Sequence, residues 1–217
     1  MLKAVLFDVD GTLGDTLSLC IEAYRVVTEE VTGRRPAPEE VTHFFGLSDR
    51  GVLAGLLGMS YDDPALPIDR FAEIYTELLP SLAPVPFPGT VEVLRALKGA
   101  GLRIGLISGK EDYTAAPTLT AYGMDGLFEW QGLGLPYCNA KTQRLREYLE
   151  HTGLQSADII YVGDMPSDIT SCREAGVRIV SAAWAPTAAQ DEAACLALHP
   201  DYRLTDIHDL LPLLTSL

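Results

Sequence analysis

The most chemically loaded stretch of the 217-residue chain is Asp8-Val9-Asp10-Gly11-Thr12-Leu13. Side chains alternate along an extended strand, so Asp8 and Asp10 start toward the same side before Gly11 lets the backbone turn. Two carboxylates so close together call for neutralisation. A divalent cation with oxygen ligands supplies it, and magnesium is the usual choice beside a phosphate. The plainer alternative is a pair of turn-forming aspartates. Two further oxygen-bearing side chains close apolar runs later in the chain: Ser108 after Leu106-Ile107, and Asp164 after Val162-Gly163.

These endings gain meaning from the elements that carry them. Residues 2–7, 103–107, 158–162 and 177–182 are largely continuous apolar runs, the pattern of strands buried on both faces of a parallel sheet. Helical patterns at 91–98, 141–151 and 166–175 lie between or beside them. The alternation predicts an α/β fold, a doubly wound parallel sheet. Ligands of such sheets bind outside the carboxyl ends of the strands, so Asp8, Ser108 and Asp164 are expected to converge on one crevice.

Roughly 95 residues separate the first strand from the second, far more than a compact crossover of a short loop and a helix needs. Leu17, Ile21, Tyr24 and Val31 keep a helical face, Leu53, Leu56 and Leu57 begin another, and Phe71, Ile74, Tyr75 and Leu78 form a third. The intervening segment therefore reads as an inserted helical domain. Its far boundary is expected in the proline-rich stretch 80–88, where Pro84, Pro86 and Pro88 favour an extended connector. The expected division is 1–14 and 88–217 for the α/β core, and 15–87 for the insert.

Composition excludes several classes. Hydrophobic residues make up 47% and charged residues 21%, which fits a folded globular chain and not a disordered one. Thirty acidic against sixteen basic side chains give a formal charge of −14, which repels nucleic acid and anionic membrane surfaces. A small anionic substrate remains compatible, because a metal ion and one lysine can reverse the field inside a single cleft. Cys20, Cys138, Cys172 and Cys195 form no Cys-x-x-Cys pair and read as packed, reduced thiols. No apolar run approaches the roughly eighteen residues of a membrane span, and the short run 4–7 does not suit a signal peptide. The expected setting is the cytoplasm.

The Asp-x-Asp-Gly-Thr sequence at Asp8–Thr12 resembles the first motif of the haloacid-dehalogenase-like (HAD) superfamily, whose members are mostly magnesium-dependent phosphatases with a Rossmann-like core. Val162-Gly163-Asp164-Met165-Pro166-Ser167-Asp168 is similar to the last motif of that family, with Pro166 suited to a first helical turn. The alternative for Asp168 is a favourable place near a helix amino end. Ser108 corresponds to the family's second motif, a phosphate contact, although Ser108 and Glu111 also spell a capping box. Gly109 stands where relatives often have Asn.

The family's lysine falls on Lys141, at an expected helix start, with Lys110 as a rival directly beyond Ser108 and Gly109. The insert is similar in place and size to the helical cap of phosphoglycolate-phosphatase-like members. Gly46-Leu47-Ser48-Asp49-Arg50 looks like the cap's substrate-facing loop, where Arg50 either holds an anionic group or begins the next helix in solvent. His43 and Trp184 read as packing residues.

The resemblance implies a Mg²⁺-dependent phosphatase acting on a small phosphorylated metabolite, a phosphoglycolate-like compound or a sugar phosphate. Asp8 would be the nucleophile, Asp10 the general acid and base, and Lys141 the electrostatic partner of both nucleophile and phosphate. Asp8, Asp10 (through its main-chain carbonyl), Asp164 and Asp168 would serve the metal. Thr12, Ser108, Gly109, Lys110 and Arg50 would serve phosphate or substrate. The alternatives are a sugar-phosphate mutase of the same family, or a phospho-acceptor or catalytically silent protein on a related fold. Mutases often carry another residue where Thr12 stands, and a silent protein should have lost one of the four aspartates. A monomer or homodimer is expected, with no nucleic-acid or membrane partner.

Overall fold

The computed structural model describes residues 2–185 and 188–217. Its centre is a parallel sheet of six strands: β1 (Ala4–Phe7), β2 (Arg103–Ile107), β3 (Trp130–Gly132), β4 (Ile159–Gly163), β5 (Arg178–Ala182) and β6 (Tyr202–Leu204). They lie in the order β3-β2-β1-β4-β5-β6. The chain moves outward to one side through β2 and β3, then returns to place β4 on the other side of β1. The order therefore reverses beside β1, which is where a doubly wound sheet opens a crevice.

The apolar runs are continuous because both faces of the sheet are covered. Val5, Phe7, Ile104, Leu106, Ile160 and Val162 join one buried cluster, whereas Ala4, Leu6, Ile159 and Tyr161 join another. Helix α5 (Thr90–Gly99) and the last helix (Leu210–Ser216) cover the first face, and α7 (Lys141–Thr152) and α8 (Pro166–Ala175) the second. The short strands β3 and β6 lack this signature. Each has three residues, mostly part-exposed at the sheet edges, so neither carries an apolar run that a sequence scan can find.

Helices α1 (Leu17–Thr32), α2 (Pro38–Thr42), α3 (Asp49–Leu57) and α4 (Ile68–Leu82) lie between β1 and α5 and share an apolar cluster of their own. Tyr24 of α1 stacks on Phe71 of α4 with ring centroids 4.5 Å apart. The inner face of α1 differs from the expected one. Leu19, Cys20, Ala23, Tyr24 and Val27 are buried, while Val31 is 53% exposed. Close packing against α4 favours small Ala23 and Cys20, which a scan for large apolar residues passes over.

The connector is also shorter than expected at its start, because Pro80 lies inside α4. The proline removes a hydrogen bond to the carbonyl of Thr76, and that residue is exposed, so water can replace the lost donor. The extended stretch begins at Ala83 and is tied down by Phe87 N donating to Leu13 O at 3.0 Å. Among the described residues, no helix is long and apolar enough to cross a membrane.

Candidate active site

Asp8 follows β1 directly, and its amide donates to Val162 O of β4 at 3.0 Å. Beyond it the chain folds into a tight turn in which Leu13 N reaches Val9 O at 2.9 Å. Gly11 takes φ +72° there, and a Cβ on it would stand 2.2 Å from Asp164 Oδ2. Only glycine combines that backbone angle with so close an approach to the carboxylate.

Asp8, Asp164 and Asp168 are buried, with one carboxylate oxygen from each within 4.8 Å of the others. Lys141, the first residue of α7, donates to Asp8 Oδ2 at 2.6 Å and also to Asp168 Oδ1. Asp8 Oδ1 accepts from Val9 N at 2.8 Å. Asp168 does two jobs at once, since its Oδ2 accepts from Met165 N at 2.9 Å and so caps α8, which begins at Pro166. Both roles expected of it, at the cluster and at the helix end, are therefore occupied together.

The electrostatics of this cluster are unbalanced. Burial, which outweighs the opposing charge of Lys141, pushes Asp8 up to about 6, with Asp168 and Asp10 adding to the rise. Burial and the charges of Asp168 and Asp8 hold Asp164 well above the ordinary carboxylate range. Burial also works against the Lys141 ammonium, but Asp168 and Asp8 outweigh it and keep the lysine charged. One lysine among three buried carboxylates leaves an excess of negative charge, and all the donors are hard oxygens. That donor set fits a divalent cation of the magnesium type.

The Asp10 side chain turns away from this cluster. Its Oδ1 accepts from Thr16 Oγ1 and lies 2.9 Å from Lys110 Nζ. Lys110 is 2% exposed, and its ammonium also donates to Tyr75 Oη at 2.8 Å and lies 3.4 Å from Cys20 Sγ. Burial opposes the Lys110 charge, but Asp10 and its other neighbours outweigh that cost and raise its pKa. Burial pushes the Cys20 thiol up to about 12, so it stays protonated. The two lysines thus serve different aspartates: Lys141 faces Asp8, and Lys110 faces Asp10.

These groups line one cavity of about 500 Å³ between the carboxyl edge of the sheet and the helical insert. Asp8, Asp10, Ser108, Gly109, Lys110, Lys141 and Asp164 border it. Ser108 is buried, and its Oγ accepts from Lys110 N at 3.3 Å. The capping box that Ser108 and Glu111 offered as an alternative does not form. Helix α6 (Asp112–Ala121) starts later, with Glu111 at its N-cap, and the Glu111 carboxylate instead accepts from Ser48 Oγ at 2.6 Å and Arg50 N at 3.0 Å.

Two expected substrate contacts stand outside the cavity wall. Thr12 is fully buried, and its hydroxyl donates to Asp164 Oδ1 at 2.8 Å, so it supports a carboxylate from behind. Arg50 sits in α3 with Nη1 3.4 Å from Tyr61 O and Nε 4.0 Å from Glu111. Its guanidinium is drawn to those acceptors and does not border the cavity. Trp184 Nε1 donates to Thr12 O at 3.0 Å, and His43 lies exposed against Phe44.

The insert reaches the site through more than the expected loop 46–50. Cys20, Tyr24, Leu47 and Val52 line the cavity from α1, the loop before α3, and α3 itself. Asp49 fastens that loop to the core: its carboxylate accepts from Tyr24 Oη at 2.6 Å, from Glu111 N at 2.9 Å and from Thr114 Oγ1. Burial, its largest influence, raises the Asp49 pKa against these donors and the Lys110 charge. An Asp between a Ser and an Arg in a surface-like stretch carries no periodic signal that would have marked it.

Comparison with known proteins agrees with this arrangement. Residues 5–182 match the haloacid dehalogenase-like hydrolase family. The chain is 27% identical over 217 residues to a phosphoglycolate phosphatase of Synechococcus elongatus, covering 100% of this chain and 99% of the relative. It is 31% identical over 193 residues to a phosphoglycolate phosphatase of Pseudomonas putida, covering 82% of this chain and 68% of that one. A crystal structure of a predicted phosphoglycolate phosphatase from Haemophilus somnus 129PT superposes with a TM-score of 0.79 at 22% identity, over 98% of this chain and 97% of the other, a likeness of fold. With Asp8, Lys141, Asp164 and Asp168 gathered at the carboxyl edge of a parallel sheet, and the match running through all four, the chain belongs to the haloacid dehalogenase-like hydrolase family.

Proposed function

We propose that the protein is a magnesium-dependent phosphatase that hydrolyses a small phosphomonoester through an aspartyl-phosphate on Asp8. The observation that carries this reading is the pairing of Asp8 Oδ2 with Lys141 Nζ at 2.6 Å, inside a cavity whose other carboxylates need a cation. The Asp8 carboxylate, the Asp10 main-chain carbonyl and Asp164 would hold the ion, with Asp168 beside them. Bound there, Mg²⁺ would offset the repulsion between a carboxylate nucleophile and a phosphate dianion.

The rest of the chemistry belongs to this chain's own residues. Asp8 attacks phosphorus, a new O–P bond forms, and the P–O bond to the alcohol breaks, which splits one difficult hydrolysis into two easier steps. Asp10 gives a proton to the departing oxygen and takes one from the water that then attacks the aspartyl-phosphate. Thr16 and Lys110 hold Asp10 by Oδ1, leaving Oδ2 free of those bonds for proton transfer. Lys141 stays charged beside Asp8 and faces the phosphate in a water-poor crevice. Ser108 borders the same space.

In this reading 1–14 and 88–217 form the catalytic core and 15–87 a helical cap over it, in a cytoplasmic monomer or homodimer. Because its relatives include phosphoglycolate phosphatases, phosphoglycolate belongs in the first substrate panel beside sugar phosphates. A phosphate-release screen over a panel of phosphoesters and pyrophosphate with Mg²⁺ tests the reading. Turnover of at least one monoester, lost in Asp8→Asn, is expected; no turnover across the panel would overturn it.

A further inference from the structure

The cavity contains more than a phosphoryl site, and the remainder has a definite chemistry. Its volume of about 500 Å³ falls within the range of about 300–1,000 Å³ typical of organic-ligand pockets, well beyond what a two-carbon phosphoester fills. The helical insert contributes the apolar side chains of Leu17, Tyr24, Phe45, Leu47 and Val52 to the lining, with Thr42 and Asp49 as polar neighbours. Phe45 is 37% exposed, so part of this apolar wall is open to an incoming molecule.

Charge is distributed just as unevenly. Among the described residues, the cations bordering the cavity are Lys110 and Lys141. Lys141 is held by Asp8 and Asp168, and Lys110 by Asp10. Arg50, the cation in the loop region best placed to receive a second anionic group, is turned to Tyr61 O and Glu111. Asp49 and Asp191 add two more carboxylates to the lining. Among the described residues, the rest of the polar lining (Thr42, Ser108, Asn139, Ser167 and Gln190) is uncharged, so an anionic leaving group would lose hydration beside carboxylates with no uncommitted cation to offset its charge, a penalty that discriminates against it.

We infer that the enzyme selects phosphomonoesters whose leaving alcohol is uncharged and carries an apolar, ring-sized face, and discriminates against esters with a second anionic group such as a carboxylate. This rests on the phosphatase reading above and names its substrate class. The phosphate remains the sole anionic element of the ligand, met by Lys141 and the metal site. The apolar remainder packs on Phe45 and Leu47, where burial of hydrocarbon drives binding.

Two matched pairs of substrates test this with the intact enzyme and Mg²⁺: 4-carbamoylbenzyl phosphate against 4-carboxybenzyl phosphate, and 2-hydroxyethyl phosphate against phosphoglycolate. Within each pair the alcohols are of similar size, so the comparison isolates the carboxylate. We expect kcat/KM to favour the neutral member of each pair by about tenfold or more, and the carbamoylbenzyl ester to exceed the hydroxyethyl ester. Phe45→Arg puts a cation on the exposed part of the apolar wall and should shift the benzyl pair about tenfold toward the carboxylate. Equal or better turnover of the carboxylate members by the unaltered enzyme overturns the inference while leaving the phosphatase reading intact. An unchanged ratio in a folded Phe45→Arg protein overturns it as well, by removing that wall from contact with the leaving group. No turnover of any of the four esters overturns both.

Discussion

Lys141 Nζ and Asp8 Oδ2 lie 2.6 Å apart although 133 positions separate them in the chain. The contact exists because α7 begins at Lys141 beside the carboxyl end of β1, so that a helix start and a strand end deliver opposite charges to one buried point. Lys110 Nζ stands 2.9 Å from Asp10 Oδ1, but on the side of the helical insert. In the proposed mechanism the two pairs divide the site into a phosphoryl side and a proton-transfer side.

That division predicts unequal effects of removing each lysine. Lys141→Ala should lower kcat by about 10²–10³ through loss of an electrostatic partner of the transferring group. Lys110→Ala should act first on folding, because it leaves Asp10, Tyr75 and Cys20 around an empty buried position. A loss of about 3 kcal/mol is expected, at the low end for a broken buried pair because Asp10 is partly solvated. Steady-state kinetics and urea unfolding of both variants separate the two effects. A fully active Lys141→Ala protein would remove this lysine from the mechanism.

The two aspartates of the first turn should also differ. Asp8→Asn should abolish turnover, whereas Asp10→Asn should slow it by about 10²–10⁴, the usual worth of general acid and base catalysis. Mass spectrometry of rapidly quenched enzyme should find phosphate on Asp8. Label trapped on another residue would contradict the assignment.

Magnesium should change stability as well as activity. A ligand that binds only the folded state at a hundredfold excess over its Kd adds about 2.7 kcal/mol. The midpoint of thermal unfolding should therefore rise with Mg²⁺ and fall back on chelation, and turnover should disappear with it. Asp164→Asn should blunt the rise, since it removes one of the three clustered carboxylates. A midpoint indifferent to Mg²⁺ up to millimolar levels would speak against the ion.

Gly11→Ala tests how tightly the first turn is built. The new Cβ would approach Asp164 Oδ2 to 2.2 Å in a backbone conformation that L side chains rarely adopt. The variant should fold less stably, with a loss of about 1–3 kcal/mol from strain, and show weaker Mg²⁺ binding as Asp164 is displaced. Calorimetry of Mg²⁺ binding beside a denaturation curve distinguishes the two.

The sequence by itself determined the core of this protein. Strands β1, β2, β4 and β5 are buried on both faces, so each is a largely apolar run, and the polar residue that ends a run stands at the carboxyl edge of a parallel sheet. Asp8, Ser108 and Asp164 were legible for that reason, and Asp168 and Lys141 followed from a resemblance whose spacing the helices α7 and α8 reproduce. Tertiary structure decided how the remaining polar groups are shared. Thr12 lies behind Asp164, Arg50 turns to Glu111 and Tyr61, and Lys110 is enclosed by Asp10, Tyr75 and Cys20. Local pattern records whether a residue is polar and which way a strand or helix presents it. The partner it finds depends on the packing of distant segments, here the helical insert against the sheet, and burial makes each such pairing strong enough to override what the neighbouring sequence suggests.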